Sequence, residues 1–335
     1  MSLARPPRRT LRAAVVGVTA LLMTYAPLAS AEPGGDPLGP SPSIEQSPEE
    51  QDDAPDIEPT AGTVTTVPEP DGTEVELDID IYVPPTGEGP FPAVILAHGF
   101  GGSKSQLRPQ AARYADAGYL VLAYSARGFG ASGGQIHLMD PGLEAADVST
   151  LVDLLAERPD VRLDSDGDPR VGIAGASYGG AAALMGSALD PRIDAAVAAI
   201  TWHDLGQSLF AQSASTDQAP GTPAELVPID TPGVYKQLWG SRFFASALAA
   251  GATPGGNPLC GRFEATLCAG LTQAAETGQP DPDLLATLSA HSPGAVIGEQ
   301  MPPTLLVQGM ADTLFGIDQA DANAQLIANT GAPLA

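Results

Sequence analysis

Apolar and polar positions between residues 62 and 201 follow two alternating patterns, which predict strands and helices in turn. Residues 75–81 alternate apolar with acidic side chains, as in a strand that exposes one face to solvent. Apolar runs typical of strands buried on both faces lie at residues 93–97, 119–124 and 171–174, and residues 193–200 also predict a strand. Helical spacing lies between them, at residues 107–117, 143–157 and 181–189. The alternation predicts an α/β fold with a mostly parallel sheet and helices on both faces.

A different composition interrupts this alternation at residues 202–300, which are rich in Gly, Pro, Ser and Ala. We interpret this segment as an inserted, mainly helical cap rather than an independent domain. The alternation then resumes with a predicted strand at 304–308 and a predicted helix at 317–328. The predicted core therefore has two parts, residues 61–201 and residues 301–335, with the cap between them.

The N-terminal region has the pattern of a secretion signal rather than of a folded segment. Residues 1–31 combine a basic stretch, an apolar run at 13–28 and a small-x-small site ending at Ala31. We expect cleavage after Ala31 and no stable membrane span afterwards; retention as a membrane anchor is the alternative. Residues 32–60 are acidic and Pro-rich without Lys or Arg, which predicts a disordered linker, with an interaction tail as the alternative. The mature protein is expected to be extracytoplasmic, either secreted or in the cell envelope.

Composition narrows the classes of partner. The chain has 335 residues, 43% of them hydrophobic, which is enough apolar material for a sizeable core. A net charge of −25 with 15 Lys and Arg residues argues against a partner held through phosphates, so nucleic-acid binding is not expected. Cys260 and Cys268 are expected to form a disulfide in an oxidising compartment. A metal site is the competing interpretation, but no His or second Cys pair stands nearby, and none is predicted.

The strongest chemical signal is a G-x-S-x-G motif at residues 175–179, placed between a buried strand and a small-residue helix. In that setting the serine sits on a sharp turn, and the flanking glycines permit close backbone approach. The helix N-terminus behind it offers N–H groups to a developing oxyanion. The motif predicts Ser177 as a nucleophile, and a plain tight turn is the alternative.

A Gly-rich loop at residues 98–102 follows the earlier buried strand. In this architecture that loop supplies one oxyanion donor, so we predict an oxyanion hole formed by the backbone N–H groups of Phe100 and Tyr178. Residues 99–105 superficially resemble a phosphate-binding loop, but Ser103 stands where a Gly must precede the Lys, so nucleotide binding is not expected.

A second apparent site is the Asp-rich stretch at residues 164–168, which has some likeness to a calcium loop. It lacks the bidentate Glu at the required distance and lies immediately before Pro169. We interpret it as a surface turn.

These motifs together carry a family resemblance over about residues 70–330. It rests on the segments at 98–101, 126–134, 175–180, 201–205 and 308–315. The chain resembles an α/β-hydrolase, and specifically the X-Pro dipeptidyl-peptidase and cocaine-esterase family of serine hydrolases. The resemblance implies that Asp312 is the triad carboxylate, that Arg127-Gly128 is a structural turn, and that no cofactor is needed. Simple turn chemistry is the alternative for Asp312.

The general base is where this sequence departs from the pattern. Triad residues on this fold follow the chain order Ser, Asp, His. His98, His137, His203 and His291 all precede Asp312. We expect that the chain is truncated at its C-terminus. The final strand, the helix after it, the general base and a C-terminal β-sandwich domain would then be missing, and residues 332–335 would be the entry to the final strand. The alternatives are substitution by His203 and a non-catalytic binding module.

The chemistry implied by these residues is acyl transfer to water. Ser177 would attack the carbonyl of a small ester or peptide substrate, and Asp312 would orient the base. The family resemblance implies either peptidase or esterase activity. The sequence does not choose between them, because specificity depends on the cap, which has no readable motif.

Overall fold

A seven-stranded sheet forms the centre of the computed structural model, which describes residues 54–210, 233–249, 251 and 257–335. The predicted signal at 1–31 and most of the predicted linker lie outside these residues. The strands are β1 (Thr60–Thr66), β2 (Val75–Tyr82), β3 (Ala93–Ala97), β4 (Leu120–Tyr124), β7 (Val171–Ala176), β8 (Ile193–Ala199) and β9 (Thr304–Val307). Their spatial order across the sheet is β1-β2-β4-β3-β7-β8-β9. A two-stranded ribbon, β5 (Leu163–Ser165) and β6 (Asp168–Pro169), lies outside this sheet.

Strand direction follows the predicted α/β pattern. The pairs among β4, β3, β7, β8 and β9 are parallel, whereas β1 and β2 pair antiparallel at one edge. Helices α1 (Arg108–Asp116), α2 (Glu144–Ala156) and α3 (Tyr178–Leu189) connect the parallel strands. The sheet is therefore mostly parallel with antiparallel strands at one edge, and the predicted fold class is confirmed.

Two apolar clusters cover opposite faces of the sheet, because side chains alternate along each strand. The larger cluster packs β-strand residues such as Ile95 and Leu122 against α2 and α3. The smaller one packs Leu96 and Val121 against Ala111 of α1. Ile57, from the last residues of the predicted linker, also packs against this smaller cluster.

The cap segment is helical where the structure describes it. It contains α4 (Leu205–Leu209), α5 (Gln237–Ala249), α6 (Ala265–Thr277), α7 (Pro282–Ala290) and α8 (Pro293–Val296). The predicted disulfide is present between Cys260 and Cys268, with the two Cα atoms 5.6 Å apart, and it ties the chain before α6 to that helix. None of the described helices is long and apolar enough to cross a membrane.

The C-terminal part of the core consists of β9 followed by α9 (Ile317–Asn329). Leu334 then pairs in parallel with Thr304 of β9, and the Leu306 amide donates to the Ala335 carbonyl. The last residues thus pair in parallel with β9, at the position where the sequence predicts the entry to a further strand.

Two boundaries refine the sequence predictions. Helix α3 begins at Tyr178, directly after the candidate nucleophile, whereas its predicted start is residue 181. The helix includes Gly179 and Gly180, whose missing side chains are required by packing rather than by a turn. The Asp-rich stretch is the tight connection between β5 and β6, so the surface-turn interpretation is confirmed.

Candidate active site

Ser177 occupies a sharp turn between β7 and α3. Its backbone has φ 57° and ψ −117°, a conformation that a residue with a side chain rarely adopts. The Ser177 amide donates to the Ala199 carbonyl at 2.8 Å, and the Thr201 hydroxyl donates to the Ser177 carbonyl at 2.8 Å. The end of β8 therefore holds this turn from both sides, and the strain expected of a nucleophile elbow is present.

The glycines of the motif are fixed by steric contact with neighbouring backbone. A Cβ at Gly179 would lie 2.1 Å from the carbonyl oxygen of Ala97 at the end of β3. A Cβ at Gly175 would lie 2.3 Å from the Gly179 carbonyl oxygen, and one at Gly180 would lie 2.8 Å from that of Ala199. Only glycine lets the first turn of α3 approach the two neighbouring strands this closely.

The loop after β3 lies directly against Ser177. A Cβ added at Gly99 would be 3.8 Å from the Ser177 Cβ. The Phe100 ring packs edge-on against the Tyr178 ring, with centroids 5.5 Å apart. Among the described residues, neither the Phe100 amide nor the Tyr178 amide donates to a backbone acceptor outside its own element. The geometry thus brings together the two predicted oxyanion donors and the predicted nucleophile.

His98 shapes this loop through both ring nitrogens. The Ala126 amide donates to its Nε2 at 2.9 Å, and its Nδ1 lies 2.7 Å from the Gly99 carbonyl oxygen. Because Nε2 accepts, Nδ1 carries the hydrogen and donates to Gly99. Burial lowers the pKa of His98 to about 4, which favours this neutral form. His98 is a structural residue of the oxyanion loop.

The cap reaches this loop through aromatic side chains. The Phe100 ring lies 4.8 Å from that of Phe243 in α5 and 5.8 Å from that of Phe263 before α6. It also lies 4.9 Å from the ring of Phe129 in the core. Aromatic side chains of the cap therefore pack against the loop that lies beside Ser177.

Asp312 lies in the loop after β9 and is held by local hydrogen bonds. Its Oδ1 accepts from the amides of Leu314 and Phe315, at 2.8 and 2.9 Å. The Gln308 amide group donates weakly to Oδ2 at 3.4 Å. The carboxylate is thus oriented by its own loop, and in the described structure it makes no direct contact with Ser177.

A row of aromatic rings connects the Asp312 loop with the elbow. Trp202, just after β8, lies 5.3 Å from the Phe315 ring and 6.1 Å from the Tyr178 ring. Lys236 donates to the Leu314 carbonyl at 2.7 Å and adds a tie from the cap. Asp312 and Ser177 therefore lie at the same end of the strands, because each follows the carboxyl end of a parallel strand.

His203, the alternative base, is engaged away from the nucleophile. Its Nδ1 lies 3.0 Å from the Asn323 side-chain oxygen in α9, and its ring fills the space that a Gly294 side chain would need in α8. Burial lowers its pKa. The Gln319 side chain accepts from the His203 amide. These contacts enclose the ring between α8 and α9, and no described contact joins it to Ser177.

The other two histidines belong to ion pairs behind the elbow. His137 Nε2 lies 2.7 Å from Glu69 Oε2, and His291 Nε2 lies 3.2 Å from Asp140 Oδ2. Burial opposes protonation of each ring, but the paired carboxylates outweigh it and raise both pKa values. Both histidines lie in loops and belong to one polar network, in which His137 and Glu69 are buried.

The centre of that network is Arg127, which the sequence predicts only as part of a turn. Its fully buried guanidinium binds both carboxylate oxygens of Asp147 in α2, at 2.7 and 3.1 Å, and Oε1 of Glu69 at 3.3 Å. The Thr66 hydroxyl donates to Asp147 at 2.6 Å. The network fastens the loop after β4 to α2 and to the β1–β2 edge. The only signal of it in the sequence is charge placed on an otherwise apolar helix face.

No group of three or more His, Cys, Asp or Glu side chains able to hold a metal ion occurs within the part of the chain that the structure describes. The donors gathered at the elbow are backbone amides and a hydroxyl.

The family described as X-Pro dipeptidyl-peptidase (S15 family) matches residues 71–320 of this sequence. The chain belongs to this family. The match includes the elbow, the oxyanion loop and the Asp312 loop, and it confirms the family resemblance inferred from the motifs.

Curated relatives of this chain include a lipase and an uncharacterized protein. The chain is 30% identical over 162 residues to a monoacylglycerol lipase of Mycolicibacterium smegmatis, covering 47% of this chain and 55% of that protein. It is also 30% identical over 121 residues to an uncharacterized 31.7 kDa protein of Escherichia coli, covering 36% of this chain and 41% of that protein. The chain thus spans about half the length of the curated relatives it matches.

Solved structures share the fold at low sequence identity. An acylaminoacyl peptidase of Pyrococcus horikoshii has a TM-score of 0.51 at 16% identity, covering 83% of this chain and 36% of that one. An esterase of Pyrococcus furiosus has a TM-score of 0.50 at 18% identity, covering 83% and 82%. Both likenesses show the α/β-hydrolase fold alone.

Proposed function

We propose that this protein is an extracytoplasmic serine hydrolase that cleaves a small ester or peptide substrate through an acyl-enzyme at Ser177. The Ser177 hydroxyl oxygen attacks the substrate carbonyl carbon, and its proton passes to a general base. The resulting oxyanion accepts hydrogen bonds from the Phe100 and Tyr178 amides. The base then gives this proton to the leaving alcohol or amine as its bond to the carbonyl carbon breaks. Water, deprotonated by the same base, attacks the acyl group and releases the acid, and Ser177 regains a proton.

The observation that carries this proposal is the backbone of Ser177. A non-glycine residue at φ 57° is energetically costly, and such strain is typical of functional sites. Ala199 and Thr201 hold Ser177 in this conformation between a central strand and a helix. The loop carrying Phe100 lies against the same turn through Gly99. Asp312 would orient the base; all four histidines of the sequence have other partners in the described structure. Labelling of Ser177 therefore also tests whether a base reaches it.

Separate observations support the proposed substrate class and the proposed location of the protein. The family name concerns peptide bonds, and the M. smegmatis relative is named as a lipase of monoacylglycerols, so both amide and ester substrates are within the proposal. The N-terminal pattern and the Cys260–Cys268 disulfide support an oxidising, extracytoplasmic location.

The test is active-site labelling with a fluorophosphonate probe, read by intact mass and peptide mapping. We expect one adduct at Ser177, none in Ser177→Ala, and an unchanged adduct in Ser165→Ala, whose serine lies in the exposed β5–β6 turn. Any ester turnover should fall by ~10⁶-fold in Ser177→Ala. A folded wild-type chain that takes up no probe would favour a binding module that uses the same pocket.

A further inference from the structure

The phenol of Tyr178 is buried behind the elbow and is held from two sides. Its hydroxyl donates to Glu144 Oε1 at 3.3 Å and accepts from the Met139 amide at 3.2 Å. Tyr178 is 2% exposed and directly follows Ser177 in the chain. The ring is therefore anchored on the residue whose amide is the predicted oxyanion donor.

Glu144, the first residue of α2, joins this phenol to a neighbouring turn. Its Oε1 also accepts from the His137 amide at 2.5 Å, and its Oε2 accepts from the Asp140 amide at 3.1 Å. The side chain is buried. One carboxylate thus ties α2, the turn at residues 137–140 and the phenol of Tyr178 together.

The turn that Glu144 holds is strained. Leu138 and Met139 are consecutive non-glycine residues with φ 57° and 71°, and both side chains are buried. Such a conformation persists only where surrounding contacts over-determine it. The amides of His137 and Asp140, which donate to Glu144, flank this pair, and the Met139 amide donates to the Tyr178 hydroxyl. The strain is therefore held next to the elbow by the same carboxylate that binds the phenol.

We infer that Glu144 is a positioning residue of the oxyanion site: its carboxylate fixes Tyr178 and, through it, the Tyr178 amide that would bind the developing oxyanion. Glu144 does not touch the substrate and acts only through Tyr178. The inference rests on the proposed function, because it assigns a purpose to the Tyr178 amide.

The ionised form of Glu144 suits this role, since both of its oxygens accept N–H donors. Protonation would place a hydrogen on an oxygen that already faces a donor, and one backbone amide would lose its acceptor. Burial raises the pKa of Glu144 to about 7, against the effect of His137. The titratable and charged groups in the surrounding network, on its own helix and on the elements packed around it, are Asp147, Tyr178, Tyr124, Glu69, Arg127, His137, Asp140 and His291. As the pH falls through about 7, the support for Tyr178 should weaken.

The experiment measures the second-order rate of fluorophosphonate labelling at Ser177 as a function of pH. The variants are Glu144→Gln, Tyr178→Phe, and the two combined, with Glu264→Gln as a matched control because Glu264 caps α6 with no contact to Tyr178. We expect Glu144→Gln to label about tenfold more slowly at pH 8 and to lose the inflection near pH 7. Tyr178→Phe should be slowed similarly, and the combined variant no further, because both changes remove one contact. Glu264→Gln should match the wild type.

The outcomes separate this inference from the proposed function. A folded wild-type chain that takes up no label overturns both. Labelling of the wild type, with equal rates and the same pH profile in Glu144→Gln, overturns the inference and leaves the proposed function standing. If Glu144→Gln does not fold, Tyr178→Phe decides, because it removes only the hydroxyl: a wild-type rate and profile overturn the inference, and a slowed rate without the inflection supports it.

Discussion

The two loops that carry Ser177 and Asp312 follow parallel strands of one sheet, yet they are built in different ways. The elbow follows β7, which has strands on both sides. Backbone at the end of β3 leaves room only for glycine at Gly179, and backbone at the end of β8 leaves room only for glycine at Gly180. The Asp312 loop follows β9, near the edge of the sheet, and depends on hydrogen bonds within itself. A Cβ at Gly309 would meet nothing within 4 Å.

The exposed fractions of the side chains also differ between the elbow and the Asp312 loop. Tyr178 beside the nucleophile is 2% exposed, whereas Met310 in the Asp312 loop is 91% exposed and Leu305 on β9 is 42% exposed. Close packing over-determines a conformation, while local hydrogen bonds fix only a few atoms. The comparison teaches that the candidate nucleophile is placed by the packed core, whereas the candidate triad acid is placed mainly by the hydrogen bonds of one short loop.

The largest expected effect is on the network behind the elbow. Arg127→Met leaves the buried carboxylate of Asp147 without its cation and leaves Glu69 paired with His137 alone, so the free energy of unfolding should fall by about 3–5 kcal/mol. Arg170→Met is the matched control, because Arg170 pairs with Asp164 at the exposed surface and should cost about 0–1 kcal/mol. Urea denaturation measures both. Equal losses in the two variants would contradict the view that the elbow side of the core depends on buried charge.

A smaller effect, which compares the two loops directly, comes from adding one methyl group to each. Gly179→Ala drives a Cβ into the Ala97 carbonyl oxygen and should cost about 3 kcal/mol. Gly309→Ala enters open space and should change stability by less than about 0.5 kcal/mol. Thermal unfolding of the two variants measures the difference. A tolerated Gly179→Ala would show that the elbow can relax and is not over-determined.

The smallest effect concerns Asp312 itself. Asp312→Asn keeps an oxygen that can accept from the Leu314 and Phe315 amides, so stability should change by less than about 0.5 kcal/mol. Asp312→Ala removes that acceptor and should cost about 1 kcal/mol. Chemical denaturation of both variants checks this order. Equal losses in the two variants would show that the charge, rather than the acceptor, holds the loop.

Helix and strand positions were predictable to within a few residues wherever apolar periodicity was strong. The strands at 75–82 and 93–97 and the helix at Ile317–Asn329 follow the predictions closely. The start of α3 was missed because Gly179 and Gly180 disfavour a helix locally. Their close contacts with Ala97 and Ala199 override that preference, and such contacts exist only after the strands have paired.

The candidate site divides in a similar way. A short motif with its strand and helix flanks was enough to predict Ser177, and the two cysteines were enough to predict their disulfide. Glu144 could not be predicted as a partner of Tyr178, because the two lie 34 residues apart and meet only when α2 packs beside α3. The pairing of Arg127 with Glu69, 58 residues away, has the same origin.

The sequence by itself determined the α/β fold, the family and the residues of the elbow, because these follow from periodicity and from a motif whose members are neighbours in the chain. The tertiary structure alone decided which polar side chains are buried together, which histidines are engaged elsewhere, and how tightly each loop is held. The physical reason is that burial and hydrogen bonding between distant segments depend on packing, and packing arises only when the layers of the sheet and helices come together.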